Sequence, residues 1–122
     1  MSSFILNITF DCRDAGQVAQ FWAELTGWPV SQPHRADEYA VSPPDEGRPP
    51  DQGRPRLYFV PVPEGKTVKN RTHLDIVPAD RTQDDEIARL TGLGASVVTD
   101  RRPEVGWVTL ADPEGNEFCV EG

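Results

Sequence analysis

The chain repeats itself. Residues 7–14, NITFDCRD, can be laid over residues 73–80, HLDIVPAD, and residues 24–27, ELTG, over residues 89–92, RLTG, at an offset of 65 to 66 residues. An internal repeat outranks any local reading, because each copy is one supersecondary unit and the fold follows from how the copies stack. Each copy opens with an alternating strand. In residues 4–12, FILNITFDC, Leu6, Ile8, Phe10 and Cys12 point one way while Asn7, Thr9 and Asp11 point the other. A helix follows. Asp14 with Gln17 resembles a capping box, Val18, Phe21, Trp22 and Leu25 recur at helical spacing, and Gly27 stops the run. Strand-like pieces come next at 28–30, 38–41 and 56–62. The second copy has THLDIV, a helix start at Thr82 with Asp85, an apolar face at Ile87 and Leu90, a stop at Gly92 and Gly94, and strands at 95–99, 106–112 and 116–121. This predicts an α+β fold of two tandem βαβββ modules, about 1–65 and about 69–122. Neither copy is large enough to bury its helix-covered sheet alone, so a single domain over 1–122 with a concave cleft is expected.

Charge narrows the partners. With 12 Lys+Arg against 20 Asp+Glu the formal net charge is -8, which opposes condensation on phosphate backbones and anionic membranes. We expect no nucleic acid and no membrane. MSSFILNITFD lacks a basic start and its apolar run breaks at Asn7, so it reads as a strand rather than a signal peptide. Two cysteines, Cys12 and Cys119, are too few for a disulfide framework, and a reduced, cytoplasmic protein follows. The stretch 42–55, SPPDEGRPPDQGRP, can build neither ladder nor helix. It is either a surface insertion or a flap over a binding site.

The segments FWAELTGW (21–28), KNRTHLD (69–75), GWV (106–108) and DPEGNEFC (112–119) run in an order that resembles the vicinal oxygen chelate superfamily of glyoxalases, bleomycin-resistance proteins and extradiol dioxygenases. The chain looks most like its glyoxalase-like subgroup. That resemblance implies homodimerisation and a divalent metal held by four strand residues, two from each module. The matching positions are Asn7, a place within 56–59, His73 and Cys119, where a metal-binding relative carries glutamate. Only His73 is a standard ligand. Hard divalent ions seek oxygen donors, and softer ones seek several imidazoles, carboxylates or thiolates together. We therefore expect no cofactor, with a divalent metal, such as zinc on His73, Cys119 and either Asp75 or Glu117, as the alternative.

Alternation turns Leu74, Ile76, Phe118 and Val120 to one face and His73, Asp75, Glu117, Cys119 and Glu121 to the other, beside Asn7, Thr9 and Asp11. Such a polar inner face needs cations from Arg56, Arg71 or a basic ligand. His73, Asp75 and Glu117 are the candidate proton-transfer groups, and Asn7, Thr9, Asp11, Tyr58, Trp107 and Cys119 the candidate ligand-binding ones. In the plainer reading His73 and Asp75 only hydrogen-bond across strands. Trp107, Trp28 and Tyr58 offer flat walls for a conjugated ligand. Trp107 suits core or pocket equally, Trp22 reads as core, His34 as a solvated loop residue and Cys12 as a small buried one. Three functions fit: a metal-independent binder of an aromatic or cationic compound, a lyase, isomerase or dioxygenase using a metal or a His/carboxylate base, and an interaction module without a small ligand.

Overall fold

The computed structural model describes residues 2–44 and 54–122, and the chain divides into two compact units that meet in sequence at Gly65 and Lys66. The first unit contains β1 (Asn7–Cys12), α1 (Ala15–Thr26), β2 (Val30–Ser31), β3 (Tyr39–Val41) and β4 (Arg56–Pro61). The second contains β5 (Leu74–Ile76), α2 (Gln83–Gly92), β6 (Ser96–Asp100), β7 (Val108–Ala111) and β8 (Glu117–Val120). Their sheets have the same wiring, β1-β4-β3-β2 and β5-β8-β7-β6. In each, the first strand pairs in parallel with the last, and every other pairing is antiparallel. The fold is α+β, with two tandem βαβββ modules.

Both helices start where local chemistry says they should. The Asp14 carboxylate accepts the Gln17 N–H at 3.1 Å, and the Thr82 hydroxyl accepts that of Asp85 at 3.1 Å. Gly27 ends α1 at φ 74°, its N–H donating to Ala23 O at 2.8 Å, a conformation that costs a side-chain-bearing residue. Val18, Ala19, Phe21 and Trp22 of α1 are buried. Phe10 lies 5.3 Å from Trp22 and 5.0 Å from Phe59, centroid to centroid. The α1-covered face of the first sheet is therefore that of Phe10 and Phe59, a matched pair in the β1–β4 register. In the second unit Leu90, Val108, Leu110, Phe118 and Val120 are fully buried. Glu86 is buried too, its charge met by Arg89 Nε at 2.6 Å and Arg81 at 3.5 Å.

The turn into β8 is held by one side chain. Buried Asp112 accepts the N–H groups of Glu114 at 2.9 Å and Asn116 at 3.0 Å, while Gly115, at φ 91°, donates to Asp112 O.

Several strand boundaries differ from the sequence reading, for a common reason. β1 begins at Asn7 rather than at residue 4, leaving Phe4, Ile5 and Leu6 52%, 69% and 56% exposed, so Leu6 does not join the core. Its partner β4 starts at Arg56, whose N–H reaches Leu6 O at 3.0 Å, and Pro55 before it has no N–H to extend the ladder. The piece expected at 28–30 falls instead on Val30–Ser31, because Pro29 accepts the Ser42 N–H but has no N–H of its own to return. Of the proline-rich stretch 42–55, residues 45–53 lie outside the described residues.

Candidate functional site

Each sheet has a second face, polar in both units but built from different chemistry. In the first unit the register sets Asn7 beside Arg56 and Thr9 beside Tyr58. Arg56 Nε donates to Asn7 Oδ1 at 2.9 Å, and the guanidinium lies 5.4 Å from the centroid of the Tyr58 ring. The Tyr58 hydroxyl donates to Glu38 Oε1 at 2.9 Å. Burial, and then the Glu38 carboxylate, push the Tyr58 pKa upward. His34 is exposed in the loop before β3, as expected, with its ring 6.3 Å from that of Tyr58, centroid to centroid. Thr9 and Asp11 are exposed. Trp28 is half-buried with the Arg54 guanidinium 5.5 Å from its ring.

In the second unit one cross-strand row reads Asp75, Cys119, Thr109. His73 Nδ1 lies 3.3 Å from Asp75 Oδ1, and the thiol of buried Cys119 is 3.5 Å from the Thr109 hydroxyl. One donor atom from each of His73, Asp75 and Cys119 falls within 4.8 Å of the other two. Both cysteines are free. Trp107 is half-buried just before β7, and its carbonyl accepts the Arg101 N–H at 3.0 Å.

Glu117 is engaged elsewhere. Its Oε1 accepts the Asn70 N–H at 3.0 Å and Lys66 Nζ at 3.2 Å, Lys69 Nζ lies 3.7 Å from Oε2, and the Glu117 N–H returns a bond to Asn70 Oδ1 at 3.2 Å. The Asn70 N–H, helped by the two lysines, lowers the Glu117 pKa below the ordinary carboxylate value. The carboxylate thus straps residues 66–70 to β8.

The metal implied by the family resemblance can be tested against these donors. In the first unit Asn7 is bonded to Arg56, 56–59 offers no carboxylate or imidazole, and the fixed guanidinium repels a divalent ion. The second unit offers an imidazole, a carboxylate and a thiol, a mixed set closer to zinc than to an oxygen-seeking ion. The four-ligand, two-per-module set does not fit this chain.

Sequence comparison accounts for this frame. A model of the glyoxalase-like domain matches residues 7–121, and the chain belongs to that family, within the vicinal oxygen chelate superfamily. Solved structures agree on the fold. A possible glyoxalase from Bacillus cereus superposes with a TM-score of 0.70 at 15% identity, covering 99% of this chain and 100% of that one. A fosfomycin resistance protein from Mesorhizobium loti gives 0.69 at 14% identity, covering 99% and 92%. A glyoxalase/bleomycin resistance protein/dioxygenase family enzyme from Burkholderia phytofirmans gives 0.69 at 16% identity, covering 97% of each chain. No curated protein matches the sequence. Among the described residues no helix is long and apolar enough to cross a membrane.

Sequence reasoning named most of these side chains but missed their partners. Arg56 on Asn7, Thr109 on Cys119, Glu38 on Tyr58, and Lys66, Lys69 and Asn70 on Glu117 were not foreseen as contacts. Only strand pairing across the whole unit could have supplied them.

Proposed function

We propose that this protein is a small-molecule-binding member of the glyoxalase-like family that works without a resident metal ion, as a homodimer. The observation that carries the metal-free reading is the Asn7–Arg56 bond, which places a permanent positive charge against Asn7, one of the implied ligand positions. Each polar face then offers groups to a ligand by itself: Asn7 and exposed Thr9 in the first unit, and His73 and Asp75 over Cys119 in the second. A cationic ligand loses its main support, since Lys66 and Lys69 already meet the Glu117 charge.

Elemental analysis of untagged protein, before and after incubation with Ni²⁺, Zn²⁺, Mn²⁺ and Fe²⁺, tests this against thermal stability. The expected result is trace metal and no rise in Tm. About one zinc per chain, lost in His73→Ala, would overturn it. Sedimentation at equilibrium reads the homodimer directly.

The His73–Asp75 contact favours a second reading, a lyase or isomerase in which Asp75 holds Nδ1 and the other imidazole nitrogen takes a proton from substrate. Its test is deuterium exchange next to the carbonyl group in a panel of carbonyl compounds. Exchange abolished in a folded His73→Gln variant would establish proton transfer. Equal exchange in variant and parent would exclude His73 as the base.

A further inference from the structure

We infer that Arg56 is an oxyanion-binding group, and that the face of the first sheet opposite α1 takes a small ligand carrying a carboxylate, phosphonate or similar anion. The inference rests on the binder reading above and adds the ligand's chemical class.

Three observations converge on Arg56. Its Nε is fixed by Asn7 Oδ1 at 2.9 Å, its guanidinium lies 5.4 Å from the Tyr58 ring centroid, and the residue is half-buried on a strand paired along its length with β1. A guanidinium held at Nε keeps its two terminal nitrogens as a planar fork, the arrangement that meets two oxygens of one anion at once. Among the described residues no carboxylate lies within ion-pair distance of that fork. The neighbouring acid, Glu38, accepts the Tyr58 hydroxyl and faces Arg35 at 3.9 Å instead. Ordering a free arginine costs side-chain entropy on binding, and here much of that ordering is done in advance. The net charge of -8 opposes anions at long range, but screening confines that effect, while a two-point contact acts at bonding distance. Exposed Thr9, paired with Tyr58 in the register, adds a hydroxyl, while the Tyr58 ring, only 6% exposed, backs the guanidinium.

The test titrates phenylphosphonate, benzoate and benzyltrimethylammonium into isotopically labelled protein with EDTA at constant ionic strength, reading the arginine Nε–H resonances. Both anions should shift the Arg56 resonance saturably while the cation leaves it unmoved. Arg56→Gln should weaken phenylphosphonate binding about ten- to a hundredfold, and Arg56→Lys, which keeps the charge and loses the fork, by an intermediate factor. Asn7→Ala should weaken it several-fold by freeing the side chain. Unchanged affinity in Arg56→Gln overturns the inference, as does an Arg56 shift no larger than that of exposed Arg54. Should Arg56→Gln fail to fold, full affinity in Arg56→Lys overturns the fork. A probe that binds without involving Arg56 removes this inference and leaves the binder reading intact. Failure of every probe, with zinc found in the protein, removes both.

Discussion

The two units share one wiring diagram and differ in what they hang on it. Both sheets pair first strand with last in parallel, and both helices start at a side-chain cap. On the polar face the first unit bonds an amide to a guanidinium, whereas the second gathers an imidazole, a carboxylate and a thiol. The joining turns differ as well. Asp112 closes β7 to β8 in a few residues, while β3 and β4 are separated by residues 42–55. Backbone pairing thus tolerates replacement of every functional group on the face, because the ladder uses main-chain atoms and the core lies on the other side.

The largest effects should come from the shared frame. Phe59 and Phe118 are both fully buried in the last strand of their units. Phe59→Ala and Phe118→Ala should each cost about 3–5 kcal/mol in urea unfolding. Similar losses would establish the two frames as equivalent. A cost below about 1 kcal/mol in either would break the comparison at its base. Asp112→Ala should follow at about 2–3 kcal/mol, since it orphans two backbone N–H groups and the Asn116 side chain in the tight turn before β8.

Glu117→Gln tests the strap on β8. The expected loss is about 1–2 kcal/mol at neutral pH, from charged hydrogen bonds that the amide makes only weakly. The folded-state pKa is lowered, so this contribution is present above the unfolded carboxylate pKa and disappears as pH falls through the folded one. The gap between parent and variant should therefore close in acid, below about pH 4. A gap that stays constant with pH would mean that the Glu117 charge, met by the Asn70 N–H and by Lys66 and Lys69, contributes nothing.

These cases also mark what could be read from the sequence. Asp14, Thr82 and Gly27 act within a few residues, and their chemistry is visible in the string. Alternation correctly joined Asp75 to Cys119 on one face of the second sheet. It could not tell that Glu117 is bonded to Asn70, 47 residues back, or that Asn7 meets Arg56, 49 residues on. Strand ends failed where a partner's proline cut the ladder, as Pro55 does for residues 4–6. Local signals write caps and turns, and only the fold decides which cation meets which acid.

The smallest effects separate site from scaffold on the two polar faces. Asn7→Ala removes the half-buried acceptor of a charged donor and should cost about 1 kcal/mol. His73→Ala should change stability by less than about 0.5 kcal/mol, because the His73 and Asp75 side chains are 42% and 52% exposed and a solvated pair gains little from its Coulomb attraction. If His73 instead only ties strands together, its removal should approach the Asn7 effect or exceed it. A loss beyond about 1.5 kcal/mol would make the pair structural and remove it from the candidate site. A neutral substitution would show that the exposed imidazole, beside a carboxylate and a buried thiol, has no stabilising task, which is the condition under which such a group is free to meet a ligand.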